Sequence, residues 1–256
     1  MKVAIIQTHI EDYNIENNIA RFQYLLKNIE KDTKWVVLSE MFLTGFVCDV
    51  SLAKNSKEKG LSLMKEFAHS TGTAIEGSLL VDENGKYFNR HYFISKDSEA
   101  FYDKTHLFSF SDEVKTLSAG RDKDVITLLD NFKIKMLTCY DLRFPLTSMN
   151  TYNDGEFLYD VLVYVASWPS SRKEQWLSLL KARAIENQSY VIATNRIGKD
   201  ANGYLYSGDS CVINTKGEIL SPINSFENSI HYYNIYKEDL TKAREKFPVY
   251  KDWDKI

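Results

Sequence analysis

Three side chains that could carry out chemistry closely follow short runs of residues that are typical of strands. They are Glu40, Lys104 and Cys139. A carboxylate can accept and return a proton, an ammonium can stabilise a negative charge, and a thiol can attack a carbonyl carbon. Because α/β proteins collect functional groups at the ends of their strands, we predict a nucleophilic active site. The alternative is that Glu40 and Lys104 are solvated loop charges and that Cys139 is a small buried side chain.

The residues that follow Cys139 distinguish it from the other two cysteines. A strand that ends at Cys139 and turns into a helix started by Pro145 would hold the thiol near backbone N–H groups and a helix N-terminus. We expect that setting to favour a thiolate and to supply an oxyanion site. Cys48, in a predicted loop, and Cys211, in a predicted hairpin strand, lack it and are interpreted as structural. The three cysteines show neither a disulfide framework nor a CxxC metal motif, so we predict free thiols and no metal.

Composition and charge exclude several classes of protein. The 256 residues are 44% hydrophobic, which is enough for a large core. Lysine and arginine number 32 and aspartate and glutamate 35, so the net charge of −3 gives no electrostatic footprint for nucleic acid. The apolar run at 3–6 is too short for a signal peptide, and no segment approaches the roughly 18 apolar residues of a membrane span. We therefore expect a cytoplasmic protein with no nucleic-acid or membrane partner.

The order of predicted elements indicates an α/β protein. Apolar runs and amphipathic periodicity predict alternating strands and helices, and a turn signal at 82–85 predicts a hairpin. Strands are predicted over 2–7, 35–38, 73–81, 87–95, 99–103, 132–138, 161–166, 190–194 and 231–235, a second hairpin over 209–220, and helices over 14–29, 57–69, 172–187 and 237–246. With few Gly and Pro residues and no linker-like stretch, we predict a single sandwich domain over 1–256, with helices outside and strands inside.

The segments around the three candidate residues resemble the motifs of a known superfamily. LSEMFLTGF (38–46), YDKTHLFSF (102–110) and LTCYDLRFP (137–145) are similar to the Glu, Lys and Cys motifs of the nitrilase, or carbon–nitrogen hydrolase, superfamily. The segments at 165–191 and 195–210 extend the likeness and favour the ω-amidase branch, which acts on 2-oxoglutaramate and 2-oxosuccinamate. The resemblance implies an α-β-β-α sandwich and a hydrolase that needs no cofactor. The substrate would be a small amide, with water as the second reactant.

The resemblance also implies a role for each site residue. Cys139 would attack the amide carbonyl and form a thioester, and Glu40 would act as general base. Lys104 would stabilise the oxyanion, helped by the backbone N–H of Tyr140. Family members carry one more glutamate after the lysine, and Glu113 matches its place. Asp112 is the alternative for that auxiliary carboxylate, and a solvated loop charge is the plain interpretation of either.

Arginine is the natural partner for the carboxylate of a 2-oxo acid because its guanidinium binds both oxygens at once. Arg143, four residues after the predicted nucleophile, is the first candidate and Arg172 the second. The alternative for Arg143 is a scaffold ion pair with Asp141 or Glu186.

Aromatic side chains near the motifs could form the walls of a small pocket. The candidates are Phe46, Tyr140 and Trp168, although aromatic residues at such positions are equally typical of a core. We interpret His106 as a structural hydrogen-bonding residue, because proton transfer in the family is assigned to glutamate. Glu186 is placed behind the site rather than in it.

Assembly and function each leave alternatives open. The resemblance implies a homodimer or a higher homo-oligomer. The helix at 172–187 is a candidate contact, and the segment 249–256, with Trp253, is either an exchanged tail or a packed end. The alternatives to an ω-amidase are a hydrolase of another carbon–nitrogen substrate, such as an N-carbamoyl amino acid, and a non-catalytic protein of the same fold. A thiol redox protein is disfavoured because no resolving cysteine lies near Cys139.

Overall fold

The structure, a computed structural model, describes residues 1–254, so residues 255 and 256 of the predicted C-terminal segment lie outside the described part of the chain. The helices are α1 Ile15–Lys27, α2 Ala53–Thr71, α3 Glu113–Thr116, α4 Pro145–Ser148, α5 Lys173–Glu186 and α6 Lys237–Lys246. The strands are β1 Lys2–Gln7, β2 Trp35–Val37, β3 Ala74–Glu83, β4 Lys86–Ile94, β5 Glu99–Asp103, β6 Ile126–Leu129, β7 Phe132–Thr138, β8 Tyr152–Asn153, β9 Glu156–Phe157, β10 Val161–Ala166, β11 Tyr190–Asn195, β12 Ile197–Lys199, β13 Leu205–Ser207, β14 Cys211–Ile213 and β15 Ser229–Asn234.

Two sheets form the centre of the molecule. The first has the strand order β15-β1-β2-β3-β4-β5, in which β1, β2 and β3 are parallel and the other strands antiparallel to their neighbours. The second has the order β14-β11-β10-β7-β6, with β7, β10 and β11 parallel. Each parallel set brings the carboxyl ends of several strands to one edge, where the site residues lie.

The sheets pack face to face and carry helices on their outer faces. Alternate residues of β1 and β2, such as Val3 and Trp35, share one apolar cluster with β7, β10 and β11 of the second sheet. The intervening residues, such as Ala4 and Val36, face α1 and α2 in a second cluster. Since α5 and α6 cover the second sheet through side chains that include Trp176, the predicted α-β-β-α sandwich is confirmed.

The predicted elements agree with the structure at most positions. The hairpin turn lies where it was expected, because Asn84 and Gly85 both adopt the positive φ that a tight two-residue turn requires. The strand β6 was not predicted, since it is an edge strand whose one buried residue, Thr127, gives no apolar pattern. The second strand of the predicted hairpin at 209–220 is reduced to a single bridge between Ile213 and Ile219.

The C-terminal segment folds back on its own chain as far as it is described. The ring of Trp253 packs edge-on against Phe157 and Tyr250, with centroid distances of 6.2 and 6.3 Å. Within the described chain, Trp253 thus packs on residues of its own protomer. Across residues 1–254, no helix has both the length and the apolar character needed to cross a bilayer.

Candidate active site

The nucleophile candidate lies at a sharp change of chain direction. Cys139 follows β7 and has a φ of +43°, a conformation that is strained for a residue with a side chain. Strand β10 runs parallel to β7, so the backbone at Ser167, just after β10, lies near the thiol. The turn after β7 is held by the backbone N–H of Thr138, which donates to Asp141 Oδ2 at 3.0 Å.

Asp141 joins the nucleophile turn to the segment after β5. Its carboxylate accepts hydrogen bonds from the Tyr102 hydroxyl at 2.8 Å and from the backbone N–H of His106 at 3.0 Å. The imidazole Nδ1 of His106 lies 2.9 Å from the same carboxylate, and its ring stacks on Phe144. These contacts give His106 the structural hydrogen bond that the sequence predicted. They also fix the loop that begins with Lys104 against the turn that carries Cys139.

Lys104 is buried between two carboxylates. Its ammonium donates to Glu40 Oε1 at 3.0 Å and to both oxygens of Glu113, each also at 3.0 Å. All three side chains are fully enclosed. The Glu40 carboxylate also lies near the Cys139 thiol, whose pKa it raises. The structure thus brings together four residues from three separate segments of the sequence.

The two carboxylates in the short segment after Lys104 occupy different environments. Glu113 is buried at the start of α3, and its Oε2 also accepts from the backbone N–H of Phe108 at 2.6 Å. Asp112 points to solvent and pairs with Lys115 on the surface. Of the two candidates for an auxiliary carboxylate, only Glu113 lies in the cluster.

Burial decides the protonation of the thiol. Burial raises the pKa of Cys139 well above its ordinary value, the Glu40 carboxylate raises it further, and Lys104 lowers it by less. The expectation that a helix N-terminus would favour a thiolate is wrong, because the turn from Cys139 to Arg143 is a single 3₁₀ turn and the helix at Pro145 has only four residues. A protonated thiol needs a base, and Glu40 is in contact with it.

Charge partners oppose burial at the other members of the cluster. Burial disfavours the ammonium of Lys104, but Glu113 and Glu40 outweigh it and raise the lysine pKa well above the ordinary value. Burial raises the pKa of Glu113, Lys104 lowers it and Glu40 raises it again, with a net upward shift. The ammonium is therefore permanently charged, and the two carboxylates compete for its stabilisation.

Two contacts of the cluster were not predicted from the sequence. The side-chain amide of Asn89, on β4, donates to Glu40 Oε1 at 2.8 Å and to Glu113 Oε1 at 3.2 Å. The backbone N–H of Ser167 donates to Glu40 Oε2 at 2.7 Å. A backbone donor leaves no trace in residue type, and Asn89 lies in a polar strand segment with no motif spacing of its own.

The cluster lies at the floor of a cleft of about 790 Å³. Lys104 and Cys139 line it from below, and both candidate arginines line its wall. The guanidinium of Arg143 donates to Gln175 Oε1 at 2.5 Å and lies 4.8 Å from the Trp168 ring, whereas that of Arg172 lies 5.7 Å from the Phe108 ring. Within residues 1–254 neither guanidinium pairs with a carboxylate.

The alternative scaffold pairing of Arg143 is wrong. Asp141 is occupied by the contacts described above, and Glu186 pairs with Arg183 at 2.8 Å. The Glu186 side chain is partly exposed and does not line the cleft. Arg143 therefore brings to the cleft wall a positive charge that no acidic side chain of residues 1–254 pairs with.

The three candidate aromatic residues all contribute to the cleft. The Phe46 ring lies 5.2 Å from Lys104 Nζ and covers the ammonium. Tyr140 packs edge-on against Phe108 and Phe144, each with a centroid distance of 5.1 Å. Trp168 is buried, and its indole N–H donates to the carbonyl of Arg172 at 2.9 Å. Each aromatic residue is thus both packed and part of the wall.

The far wall is a β-hairpin that the sequence did not predict as part of the site. Strands β12 and β13 pair through residues 197–207, and the cleft is lined there by Asp200, Asn202, Tyr204 and Tyr206. The carboxylate of Asp200 shapes the turn, since it accepts from the Tyr206 hydroxyl at 2.9 Å and from the backbone N–H of Tyr204 at 2.8 Å. The hairpin is short and polar, so it carries no apolar period by which it could have been recognised.

The remaining cysteines differ in position. Cys211 is fully buried in β14, and burial raises its pKa to about 12, which agrees with a structural role. Cys48 is partly buried in the wall of the same cleft, and burial raises the pKa of its thiol. Over residues 1–254, no group of three or more His, Cys, Asp or Glu side chains is arranged to hold a metal ion.

An α-β-β-α sandwich whose strand ends surround a carboxylate, an ammonium and a thiol defines a class of hydrolase. The family model described as carbon–nitrogen hydrolase matches residues 2–245. The chain belongs to the carbon–nitrogen hydrolase family, and the predicted membership is confirmed. It is accordingly an enzyme that hydrolyses carbon–nitrogen bonds.

Full-length relatives support the same assignment. Omega-amidase YafV of Escherichia coli K12 is 35% identical over 100% of this chain and 98% of its own. The 2-oxoglutaramate amidase of Bacillus subtilis is 32% identical over 98% of this chain and 96% of its own. A CN-hydrolase superfamily protein from Xanthomonas campestris, whose crystal structure has an arsenic adduct in its active site, superposes with a TM-score of 0.96 at 30% identity and covers 100% of this chain and 98% of that one. The resemblance to the ω-amidase branch is confirmed by these relatives.

Proposed function

We propose that the enzyme hydrolyses the terminal amide of small 2-oxo acid ω-amides, such as 2-oxoglutaramate, through a thioester on Cys139. One observation carries the proposal. A buried thiol lies near the Glu40 carboxylate, which shares the Lys104 ammonium with Glu113, at the floor of a cleft with two arginines in its wall. The names of the full-length relatives support the substrate class.

Acylation begins with transfer of the thiol proton to Glu40. The sulfur forms a bond to the amide carbon, and the carbonyl electron pair moves to oxygen. Lys104 and the backbone N–H of Tyr140 stabilise this oxyanion. When the oxyanion collapses, the carbon–nitrogen bond breaks and the nitrogen takes the proton from Glu40, so that ammonia leaves.

Deacylation repeats the sequence with water. Glu40 takes a proton from a water molecule, whose oxygen attacks the thioester carbon. The second oxyanion is stabilised by the same donors, and its collapse breaks the carbon–sulfur bond. Cys139 recovers its proton from Glu40, and the products are the carboxylic acid and ammonia. Glu113 holds Lys104 throughout, because it binds the ammonium with both oxygens.

Recognition of the 2-oxo acid end is assigned to Arg143, with Arg172 as the alternative. Arg143 lines the cleft, and no acidic side chain within residues 1–254 competes for it. A guanidinium binds a carboxylate through two parallel hydrogen bonds, which fixes the orientation of a short substrate. Phe46, Tyr140 and Trp168 pack around the cleft and limit the size of the chain between the two ends.

A substrate panel tests the proposal. The purified enzyme is incubated with 2-oxoglutaramate, an uncharged aliphatic amide, a nitrile and an N-carbamoyl amino acid, and ammonia release is measured. We expect 2-oxoglutaramate to be hydrolysed fastest and Cys139→Ala to abolish that activity, while the matched variant Cys211→Ala retains it. A preference for the uncharged amide or for the carbamoyl compound would contradict the proposed substrate class.

We also propose a homodimer that works in the cytoplasm. Exposed apolar side chains near the second-sheet helices, including Leu146, Ile185 and Phe247, support self-association. Three free cysteines, one of them the proposed nucleophile, support a reducing compartment. Light scattering at several concentrations tests the first point, since a monomer at all of them would contradict it. Fractionation of the source cells tests the second.

A further inference from the structure

The carboxylates of Glu40 and Glu113, the carboxylate pair, accept hydrogen bonds from Lys104 and from other donors. Four hydrogen-bond donors reach the oxygens of Glu40 and Glu113 from side chains or backbone outside the pair: the Lys104 ammonium, the Asn89 amide, the Ser167 N–H and the Phe108 N–H. Only Asn89 and Lys104 contact both carboxylates. Asn89 is fully buried, so its two N–H groups have no access to solvent.

The amide of Asn89 can face the carboxylates in only one orientation. Its Oδ1 accepts from the Ser78 hydroxyl at 2.8 Å, and the Ser78 oxygen in turn accepts from the backbone N–H of Met41 at 2.8 Å. The Ser78 hydroxyl thus accepts from Met41 and donates its own hydrogen to Asn89 Oδ1. The Nδ2 group of Asn89 must then point to Glu40 and Glu113, whose ionised oxygens accept hydrogen bonds.

The two oxygens of the Glu40 carboxylate consequently have different hydrogen-bond partners. Oε1 accepts from both Asn89 and Lys104, at 2.8 and 3.0 Å. Among residues 1–254, Oε2 accepts one hydrogen bond, from the backbone N–H of Ser167 at 2.7 Å, so it is the carboxylate oxygen with fewer donors. A proton taken from the thiol would therefore be placed on Oε2 and returned from there.

We propose that Asn89 is a positioning residue for the reaction, which holds the Glu40 carboxylate with Oε2 turned to the thiol, and that Ser78 fixes the orientation of the Asn89 amide. The proposal rests on the proposed function for Glu40. It adds a chain of hydrogen bonds that starts at the residue next to Glu40 in sequence and returns to its carboxylate.

The groups that titrate near Asn89 determine what its removal would do. Glu40, Glu113, Lys104 and Cys139 are the ionisable side chains of the cluster, and Tyr206 faces Cys139 from the hairpin. Donors to an ionised carboxylate lower its pKa. Loss of the Asn89 donors should therefore raise the pH at which the carboxylate pair takes up a proton. We expect a shift of about one unit, which is a tenfold change in the protonation equilibrium.

The experiment compares Asn89→Leu, Ser78→Ala and the wild-type enzyme. Infrared spectra across a pH series follow the carbonyl band of a protonated buried carboxyl group. This measurement requires no substrate. Activity on the best amide of the panel gives kcat and KM over the same series. We expect Asn89→Leu to shift both the infrared midpoint and the acid limb of kcat/KM upward by about one pH unit. We also expect kcat to fall about tenfold or more with KM unchanged, and Ser78→Ala to act in the same direction by less.

Matched controls separate positioning from folding. Ser56→Ala removes a buried hydroxyl on α2 that has no hydrogen-bond partner within residues 1–254, and Asn150→Leu removes a buried amide that does not line the cleft. Both should leave the infrared midpoint and the acid limb where the wild type has them, even if Asn150→Leu lowers Tm. Should Asn89→Leu fail to fold, Ser78→Ala carries the test.

Two results would overturn the proposal. One is an infrared midpoint that stays at the wild-type value in Ser78→Ala and Asn89→Leu. The other is an acid limb of kcat/KM that stays at the wild-type pH in both variants. Failure of the proposed function has a different signature, because an enzyme that hydrolyses none of the panel compounds would still show the infrared shift between the wild type and Asn89→Leu. Either way the role of Asn89 is decided separately from the substrate.

Discussion

At the scale of single residues, Lys104 is the most constrained group in the molecule. An isolated buried ammonium would be costly, and it is tolerated here because three carboxylate oxygens lie 3.0 Å from its nitrogen. The same arrangement leaves the neighbouring thiol protonated, since burial and Glu40 together raise the pKa of Cys139. The nucleophile is therefore generated during the reaction rather than stored.

This leads to a prediction about the reactivity of Cys139 toward iodoacetamide. A raised pKa means a smaller thiolate fraction at any given pH. The alkylation rate should therefore still be rising at pH 9, which is about the ordinary pKa of a thiol. Mass spectrometry of the Cys139 peptide measures the rate across a pH series, and free glutathione is the reference. A rate that levels off near neutral pH would show a preformed thiolate and contradict the electrostatic description.

Arg143 gives a second prediction at this scale. Arg143→Lys keeps the charge and removes the bidentate geometry, so KM for 2-oxoglutaramate should rise about tenfold while KM for an uncharged amide stays constant. Steady-state kinetics on both substrates measure the difference, and Arg172→Lys is the matched variant on the same wall. An equal effect of Arg143→Lys on the two substrates would remove its role as carboxylate partner, and a selective effect of Arg172→Lys alone would transfer that role.

At the scale of elements, a buried ion pair joins the hairpin β12–β13 to the segment after β1, beside a backbone bridge between His9 and Ile197. Arg196 Nη1 donates to Asp12 Oδ1 at 2.7 Å, and the other Asp12 oxygen accepts from the backbone N–H of Ala201 at 2.8 Å. A second guanidinium nitrogen of Arg196 donates to the Ile10 carbonyl. The position of this wall of the cleft thus depends on residues that precede α1.

The pair predicts the effect of Asp12→Asn. An amide cannot accept from both partners, so Arg196 would be left buried with its charge uncompensated, at a cost of about 3 kcal/mol in the free energy of unfolding. Hydrogen exchange at the Ala201 amide should accelerate, and KM should rise as the hairpin loses its support. Asp32→Asn, which affects only a surface pair with Lys2, is the control. Unchanged exchange at Ala201 would contradict the role of the pair.

Some helices and strands could be predicted from the sequence and others could not. Strand β10 was predictable because every residue in it is buried, which gives a continuous apolar run. Helix α1 was predictable because it buries one face, which gives apolar residues at helical spacing. Glu40, Lys104, Glu113 and Cys139 were recognisable because their motifs keep local spacing. The β12–β13 hairpin was not, since its residues face a cleft rather than a core.

The contacts of the site were less predictable than its members. Asn89 lies 49 residues from Glu40 and joins it only because β4 crosses the sheet beside β3. Ser167 acts through its backbone, which is independent of residue type. Burial of Cys139, and with it the direction of its pKa, depends on the packing of two sheets and could not be derived from the turn sequence.

At the scale of the whole molecule, the two sheets share one apolar layer, and the active-site residues come from both. Glu40 and Lys104 follow strands of the first sheet and Cys139 follows a strand of the second. The site can therefore exist only when the sheets are packed together. We propose on this basis that the chain acts as a single domain.

A single domain predicts one cooperative unfolding transition. Urea denaturation followed by far-ultraviolet circular dichroism and by tryptophan fluorescence should give coincident midpoints, because Trp35 lies in the first sheet and Trp176 on a helix of the second. Protein concentration is held constant in both measurements. Two separated midpoints would show that the sheets unfold independently and would contradict a single domain.

The central claim is that amide hydrolysis passes through a thioester on Cys139, and acid quenching during turnover tests it most directly. Intact-mass measurement and peptide mapping of the enzyme quenched with excess 2-oxoglutaramate should show an adduct equal to the substrate minus ammonia, on the Cys139 peptide alone. The adduct should be absent in Cys139→Ala. An adduct on Cys48 or Cys211, or continued turnover by Cys139→Ala, would contradict the account.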